Sequence, residues 1–567
     1  MYGPKNPAAP EHWDNTCGSC HPYQLRRVRS SLMFTNTGMI QGIEKTWESE
    51  TGQSWATQGL QTHDAQGRAF RLHGVQHMDN LGGELYRKFC SRCHLGAAEY
   101  RKYRGSHASG CAACHFPYNA NATYQGNDPA LHGKWPYSES HALAALPSNE
   151  VCLHCHNRSG RIALSYQGLY DGNSALVPTS NGRPGPEMIS GGRNVVHVAP
   201  DVHFEAGMDC IDCHTSRDIM GDGYAYRNLY RQVEIRCRDC HGTGTSLPSS
   251  REIVRENAAP IRESRSYPMQ VRPGMRMALT RKGRMYSNVF FRRGSVSVLG
   301  KRSGKLFEAP VITGTKEHTI SGHERLSCSA CHTRAVPQCY GCHTTYDRSK
   351  LGPDYIKQEM TPGRFREKED YRRLYPFPLA LDQRGRISPV TPGCQTFVTL
   401  IDASGEAVKE GYVTRFKGEH QFRFAPFEAH NIGKEPIGCR ECHSNPAFFG
   451  FGQGIFSGKS RIPLIACERS PSKPLDGFLS LDNGTVESFA AITRPGSRAL
   501  TGSEMQRIFR VNLCLVCHDD PQDPIYQSEL DYSMLADCLR RSDPDPYAAR
   551  NASAQGNGAG EGSKTGP

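Results

Sequence analysis

Ten copies of one five-residue unit, Cys-x-x-Cys-His, run through this chain of 567 residues. They open at Cys17, Cys90, Cys111, Cys152, Cys210, Cys237, Cys328, Cys339, Cys439 and Cys514. Their second thiols are Cys20, Cys93, Cys114, Cys155, Cys213, Cys240, Cys331, Cys342, Cys442 and Cys517. They close on His21, His94, His115, His156, His214, His241, His332, His343, His443 and His518. Together they use 20 of the 23 cysteines. Composition alone would yield about 0.04 such units in a chain this long, so the repetition has a chemical cause. Two thiols three positions apart can each add to one vinyl group of a haem, and the next residue then lies under the iron as its proximal ligand. Zinc ribbons also use Cys-x-x-Cys, but as pairs of pairs with no fixed trailing histidine. A disulfide framework has no reason to repeat one unit ten times.

On these motifs the chain resembles the multihaem c-type cytochromes, here with ten covalently bound haem c groups. The motifs occupy under a tenth of the residues, so the resemblance is specific for cofactor chemistry and much less so for role. It implies thioether bonds to the twenty motif cysteines and iron ligation by the ten motif histidines. It also implies a histidine as the usual second axial ligand. Fourteen of the 24 histidines lie outside the closing position of the motifs, enough for ten haems. The distal candidates are His73, His77, His107, His132, His141, His197, His203, His318, His323 and His430, with His12, His63 and His420 behind them. His107, His203, His323 and His430 stand 4, 7, 5 and 9 residues before a motif, a placement that in this family often serves a neighbouring haem. His73 and His77 are four apart and would share a helix face. His154 lies inside its own motif and is badly placed to turn back. Any one of these histidines has an ordinary hydrogen-bonding role as its bland alternative.

Other residues with chemical potential stay open. Cys394, Cys467 and Cys538 stand outside the motifs; a disulfide or buried thiols is the plain reading, and thiolate ligation of iron the sharper one. Met33 and Met39 are possible axial ligands, though such methionines are more often core. Ser457-Gly458-Lys459-Ser460 resembles the end of a P-loop, but Gln453 stands where the first glycine is required. Gly450, Gly452 and Gly454 do not follow a strand in dinucleotide-binding register.

The elements that must position the motifs read unevenly. The AVILMFWYC share is 37%, so side chains alone make a thin core. The expected fold is mostly irregular and α, haem-packed, with β-hairpin insertions: an α+β chain of low regular secondary structure. Residues 1–250 hold six motifs and a short helical patch at 140–146. Residues 251–438 are β-rich around the Cys328 and Cys339 motifs, residues 439–545 carry two more motifs, and 546–567 form a disordered tail. Hairpins are expected from 277–280 with 284–291, from 296–299 with 305–307, and from 396–401 with 412–416. The two motif-free stretches, 251–325 and 344–438, would form one module around the Cys328/Cys339 pair. Close motif spacing predicts stacked or edge-packed haems at Cys90/Cys111, Cys210/Cys237 and Cys328/Cys339.

Charge is consistent with this reading. The formal charge is +12, but ten haems would add about twenty propionate negatives, so the excess is poor support for nucleic acid as a partner. Residues 251–305 carry 14 Lys/Arg against 3 Asp/Glu, either balancing propionates or docking an anionic partner. No apolar run is long enough to span a membrane. The family implies attachment of haem outside the bacterial cytoplasm, hence a periplasmic or extracellular site. A secretory signal is expected ahead of the opening MYGPKNPAAPEHW, which has no apolar segment.

Electron transfer through mostly bis-histidine haems, in respiratory or extracellular electron flow, is the expected function. Its partners would be redox proteins such as other cytochromes or membrane quinol-linked donors, or copies of itself in a polymer or outer-membrane complex. The alternative is an oxidoreductase for a small nitrogen or sulfur oxyanion at one open-coordination haem. No catalytic residue can be placed for it.

Overall fold

The computed structural model describes residues 7–40, 43, 60–72, 80–95, 109–119, 123–134, 137–157, 163–171, 187–188, 194–393 and 396–412, and, with short gaps, stretches of 415–523. The motifs dictate the local structure. In six of them the histidine N–H bonds the carbonyl of the first cysteine at 2.8–3.0 Å: His21, His115, His156, His214, His241 and His518. Two more motifs lie in the helices Cys328–His332 and Cys439–Ser444. One helical turn brings residues three and four apart to the same side, so both thiols and the imidazole face one space. At Cys17 the turn packs tightly. A Cβ on Gly18 would lie 2.6 Å from the Trp13 carbonyl oxygen, so only glycine fits there.

The Cys90 motif winds into a tighter 3-10 turn, with the His94 N–H on Ser91 O at 2.8 Å, and one motif leaves helical geometry altogether. Residues 339–343 lie within the strand Gln338–Asp354, paired antiparallel with Glu359–Arg373 and parallel with Thr396–Ile401. Extended backbone advances about 10 Å over three residues, so no turn closes. The expected packing of two like motifs at Cys328 and Cys339 is therefore not what the backbone shows. Strand pairing on both sides wins over the local motif.

The β structure is several sheets, not one module. Strands Ser250–Glu252, Arg276–Leu279, Met285–Arg292, Ser295–Leu299 and Leu306–Ala309 form a five-stranded antiparallel meander. Both hairpins expected between 277 and 307 are present in it. A four-stranded sheet joins Glu359–Arg373, Gln338–Asp354, Thr396–Ile401 and Ala407–Tyr412, and another joins Leu379–Leu381, Ile387–Gly393, Phe422–Pro426 and Ala490–Ile492. The third hairpin forms, but its return strand is Ala407–Tyr412, earlier than expected. Residues 140–146 are bends and coil, not a helical patch: three alanines and two leucines give propensity, but too few residues to offset the cost of nucleating a helix.

The meander does not enclose the Cys328 motif. One face packs Tyr286, Val289, Val296 and Val298 against Cys213 and Cys240, so it covers the Cys210/Cys237 pair. The other face buries Met277, Phe290 and Leu299 with Ile253 and Val271. Because both faces are covered, the central strand Met285–Arg292 is buried almost throughout. Arg251, Arg255, Arg272, Arg276, Arg292 and Arg293 remain exposed at its margins. A second apolar cluster gathers Phe424, Phe449, Phe451, Phe478 and Met505 next to the C-terminal motifs.

Asn288 ties the meander to the Cys210 turn. Its buried Nδ2 donates to Asp212 O at 2.8 Å and to Leu299 O at 3.0 Å. Asn288→Ala removes the donor from two buried carbonyls and should cost about 1–3 kcal/mol in chemical denaturation. The helix Gly502–Asn512 opens on a capping box: Thr501 N–H donates to Glu504 Oε2 at 2.9 Å and Glu504 N–H to Thr501 Oγ1 at 3.3 Å. Hydrogen bonds from Arg498 hold Glu504 down to about 2. Its contribution is full above the free value of about 4.3 and is lost as pH falls toward 2. In a pH series of thermal melts, Glu504→Gln should lower stability by about 1 kcal/mol at neutral pH and flatten the decline across that acid window.

Candidate functional site

Four motif histidines each face a second imidazole across a fixed gap. Ring centres are 6.1 Å apart for His214 with His430 and for His332 with His318, with ring planes 9° and 10° apart. They are 6.0 Å apart for His241 with His203 and for His443 with His323, at 57° and 60°. This is too far for ring stacking in contact. Two imidazoles on opposite sides of one metal, at bonds of about 2.0 Å each, have centres about 6.2 Å apart. The spacing fits one iron per pair.

The second ring nitrogen supports the same geometry. His241 Nδ1 bonds Pro310 O at 2.7 Å, His332 Nδ1 bonds Gly433 O at 3.2 Å and His443 Nδ1 bonds Ile508 O at 3.3 Å. On the facing side, His203 Nδ1 bonds Asp201 Oδ1 at 2.8 Å and His430 Nδ1 bonds Glu428 O at 2.9 Å. His318 Nδ1 bonds Thr315 Oγ1 at 2.9 Å and His323 Nδ1 bonds Ser321 O at 3.3 Å. His214 Nδ1 lies 3.4 Å from Asp218 Oδ2. Carbonyls and carboxylates only accept, so those Nδ1 atoms carry the proton. That tautomer leaves the Nε2 lone pair for a metal, the usual second-shell arrangement of ligand histidines. Burial also lowers His430, His241 and His443, the last to about 4, which keeps them neutral and able to ligate.

Thus His203, His318, His323 and His430 are brought to motif histidines, and three of them face a motif other than the one they precede. His203 precedes Cys210 but faces His241. His323 precedes Cys328 but faces His443. His430 precedes Cys439 but faces His214. His141 instead packs exposed against Tyr124 and Tyr137, and His154 is buried with its ring 4.3 Å from Tyr118. His132, His63 and His197 are exposed, the last two on strands, and His12 lies within the short 3-10 helix Pro10–Asn15. His420 lies in a two-residue ladder with Arg415. Met33 is half-buried and Met39 exposed. His73, His77, His107, Cys394 and Cys538 lie outside the described residues, and Cys467 is described only as the end of the strand Leu464–Cys467.

The remaining motifs are less uniform. His115 Nδ1 bonds Ala144 O at 2.8 Å and His518 Nδ1 bonds Asp523 Oδ2 at 2.7 Å, the same Nδ1 anchoring as in the four pairs. At the Cys90 motif, His94 Nε2 bonds Phe34 O at 2.5 Å, so there the ligating nitrogen is engaged by backbone. At residues 339–343 the extended backbone does not fit the turn that the group requires. Among the described residues no cluster of three or more His, Cys, Asp or Glu forms a metal site; each imidazole pair supplies two ligands.

The motifs also touch one another. The Cys111 thiol neighbours that of Cys17, Cys152 that of Cys210 and Cys237 that of Cys328. Cys93 Sγ lies 3.7 Å from Cys155 O. Cys213 and Cys240 share one apolar cluster, and Cys331 neighbours Cys439 and Cys442. Arg440 Nη2 donates to Leu515 O at 3.0 Å, which joins the last two motifs. Burial pushes the Cys114, Cys213 and Cys442 thiols up to about 12, so these sulfurs sit in surroundings suited to a neutral thioether.

Residues that pattern-reading missed are the Nδ1 acceptors. Asp201 precedes His203 by two, Thr315 precedes His318 by three and Asp218 follows His214 by four. These short spacings were available signals. The carbonyl acceptors have none. Compared with protein-family models, curated proteins and solved structures, the chain matches nothing.

Proposed function

We propose that the chain is a multihaem c-type cytochrome that carries electrons, periplasmic or extracellular, between redox-protein partners. The observation that carries this reading is the set of four imidazole pairs at 6.0–6.1 Å, each including a Cys-x-x-Cys-His histidine. Bound haem would supply one-electron iron chemistry. The chain's own residues do the rest. Motif cysteines anchor, motif histidines and their facing partners ligate, and Nδ1 acceptors fix tautomer and ring orientation. The apolar clusters at Cys213, Cys240 and Cys442 exclude water from the sulfur side. Neighbouring thiols run from Cys114 to Cys152, Cys210, Cys213, Cys240, Cys237, Cys328, Cys331 and Cys442, and the Arg440–Leu515 bond adds the last motif, which keeps successive motifs near one another.

The test is haem quantification together with optical and EPR spectra of the oxidised protein. Covalent haem at the motifs that form a helical turn, with low-spin signals from at least the four paired sites, is expected. Absence of covalent haem overturns the reading. A high-spin component that shifts with nitrite, hydroxylamine or a sulfur oxyanion overturns the carrier role in favour of an oxidoreductase. A second prediction concerns ligand pairing. His430→Ala should convert one haem, that at Cys210, to high spin while haem content stays unchanged.

A further inference from the structure

The four paired sites differ in the charge that backs their imidazoles. At Cys237, His203 donates to Asp201, and at Cys210, His214 faces Asp218. At Cys328 and Cys439 every acceptor is neutral: Gly433 O, Thr315 Oγ1, Ile508 O and Ser321 O. We propose that Asp201, with a smaller part from Asp218, sets the Cys237 and Cys210 sites below those at Cys328 and Cys439 in potential, so that electrons run downhill from Cys237 to Cys328. This rests on the haem reading above.

The argument is charge compensation in a buried place. Asp201 is 2% exposed, and its partners are the His203 N–H, His203 Nδ1 and the Ile432 N–H at 2.7 Å. Asp218 is 5% exposed and accepts from the Thr215 and Glu234 N–H groups. Neither pairs with a Lys or Arg among the described residues. A buried carboxylate needs a positive partner: at Asp201 that partner is the His203 imidazole, while Asp218 also lies within reach of the Lys301 and Arg281 charges, so Asp201 carries the larger effect. A ferric bis-imidazole centre carries net positive charge and a ferrous one does not, so each carboxylate favours the oxidised state. Second-shell hydrogen bonding and nearby charge are the levers the protein has on such potentials.

Charge of the opposite sign stands at Cys328. Arg386 and Arg238 lie near its thiol, both half-buried, and neither forms an ion pair among the described residues. Positive charge favours the reduced state. The step falls between neighbouring motifs, because the Cys237 and Cys328 thiols lie close enough to perturb one another. Transfer across it oxidises one site and reduces the next by one electron, with no other reactant. His518 also has a carboxylate partner, Asp523, but both side chains are over a quarter exposed, where water and salt screen the effect.

The experiment is a potentiometric optical titration of the holoprotein, with haem content and EPR g-values from the same preparation. In Asp201→Asn and Asp218→Asn the lowest-potential components should move to higher potential, with haem content unchanged and altered low-spin g-values. Asp201→Glu should restore much of the original curve. Arg238→Gln should move a high-potential component the other way, and it keeps the proposal testable if an aspartate variant fails to fold. Full haem content with unmoved potentials, or shifts confined to the high-potential components, overturns this proposal alone. A preparation without covalent haem overturns it together with the haem reading.

Discussion

Across the middle of the chain, a hydrogen bond at imidazole Nδ1 is the constraint on which the rest depends. A buried histidine must place two nitrogens, and satisfying one with an acceptor commits the other to whatever lies opposite. Pro310, Gly433 and Ile508 supply those acceptors from segments distant in sequence. The loops that carry them must therefore close over the motif turns. In this sense the backbone carbonyls, as much as the motif cysteines, decide how the chain folds back on itself.

The apolar core follows the same logic. A chain this size with 37% AVILMFWYC does not assemble one large interior. Instead several small clusters each take in a motif thiol: Cys90, Cys114, Cys442, and Cys213 with Cys240. The five-stranded meander is the clearest case, because one face is matched to the Cys210/Cys237 turns through Tyr286 and Val298 and tied to them by Asn288. Lys301, buried beneath it, donates its backbone N–H to Asp212 Oδ1 and its Nζ to His214 O. The sheet reaches the motif through polar bonds as well as packing.

Much of this was legible before any coordinates. The hairpins at 276–309 could be read because alternating residues bracket glycine turns, a local signal. The motif turns could be read because a five-residue unit fixes its own geometry. The four facing histidines were among the distal candidates, but their partners were not legible: a histidine before one motif faces another because the loops cross, and nothing local records a crossing. Two expectations failed for related reasons. Residues 339–343 lie in an extended strand because Glu359–Arg373 and Thr396–Ile401 pair on both sides, a long-range constraint that overrides motif identity. The motif-free stretches were expected to join around Cys328, yet the first packs on Cys213 and Cys240, since the burial of Val289 and Val298 is decided by what faces them.

The pairing of His214 with His430 has a temporal side. If an iron joins them, it closes one of the longest loops in the chain, and the loop-closure cost grows only slowly with length. The two ligands are far apart in order of synthesis. When the Cys210 segment first emerges it carries its anchoring thiols and one imidazole, while its second imidazole has not yet been made. Maturation of that centre must then wait until residue 430 has arrived. A chain cut short before that residue would leave the Cys210 site able to hold its haem but with one coordination position unsupplied by His430, so a proteolytic nick in the C-terminal half would register as altered chemistry far upstream.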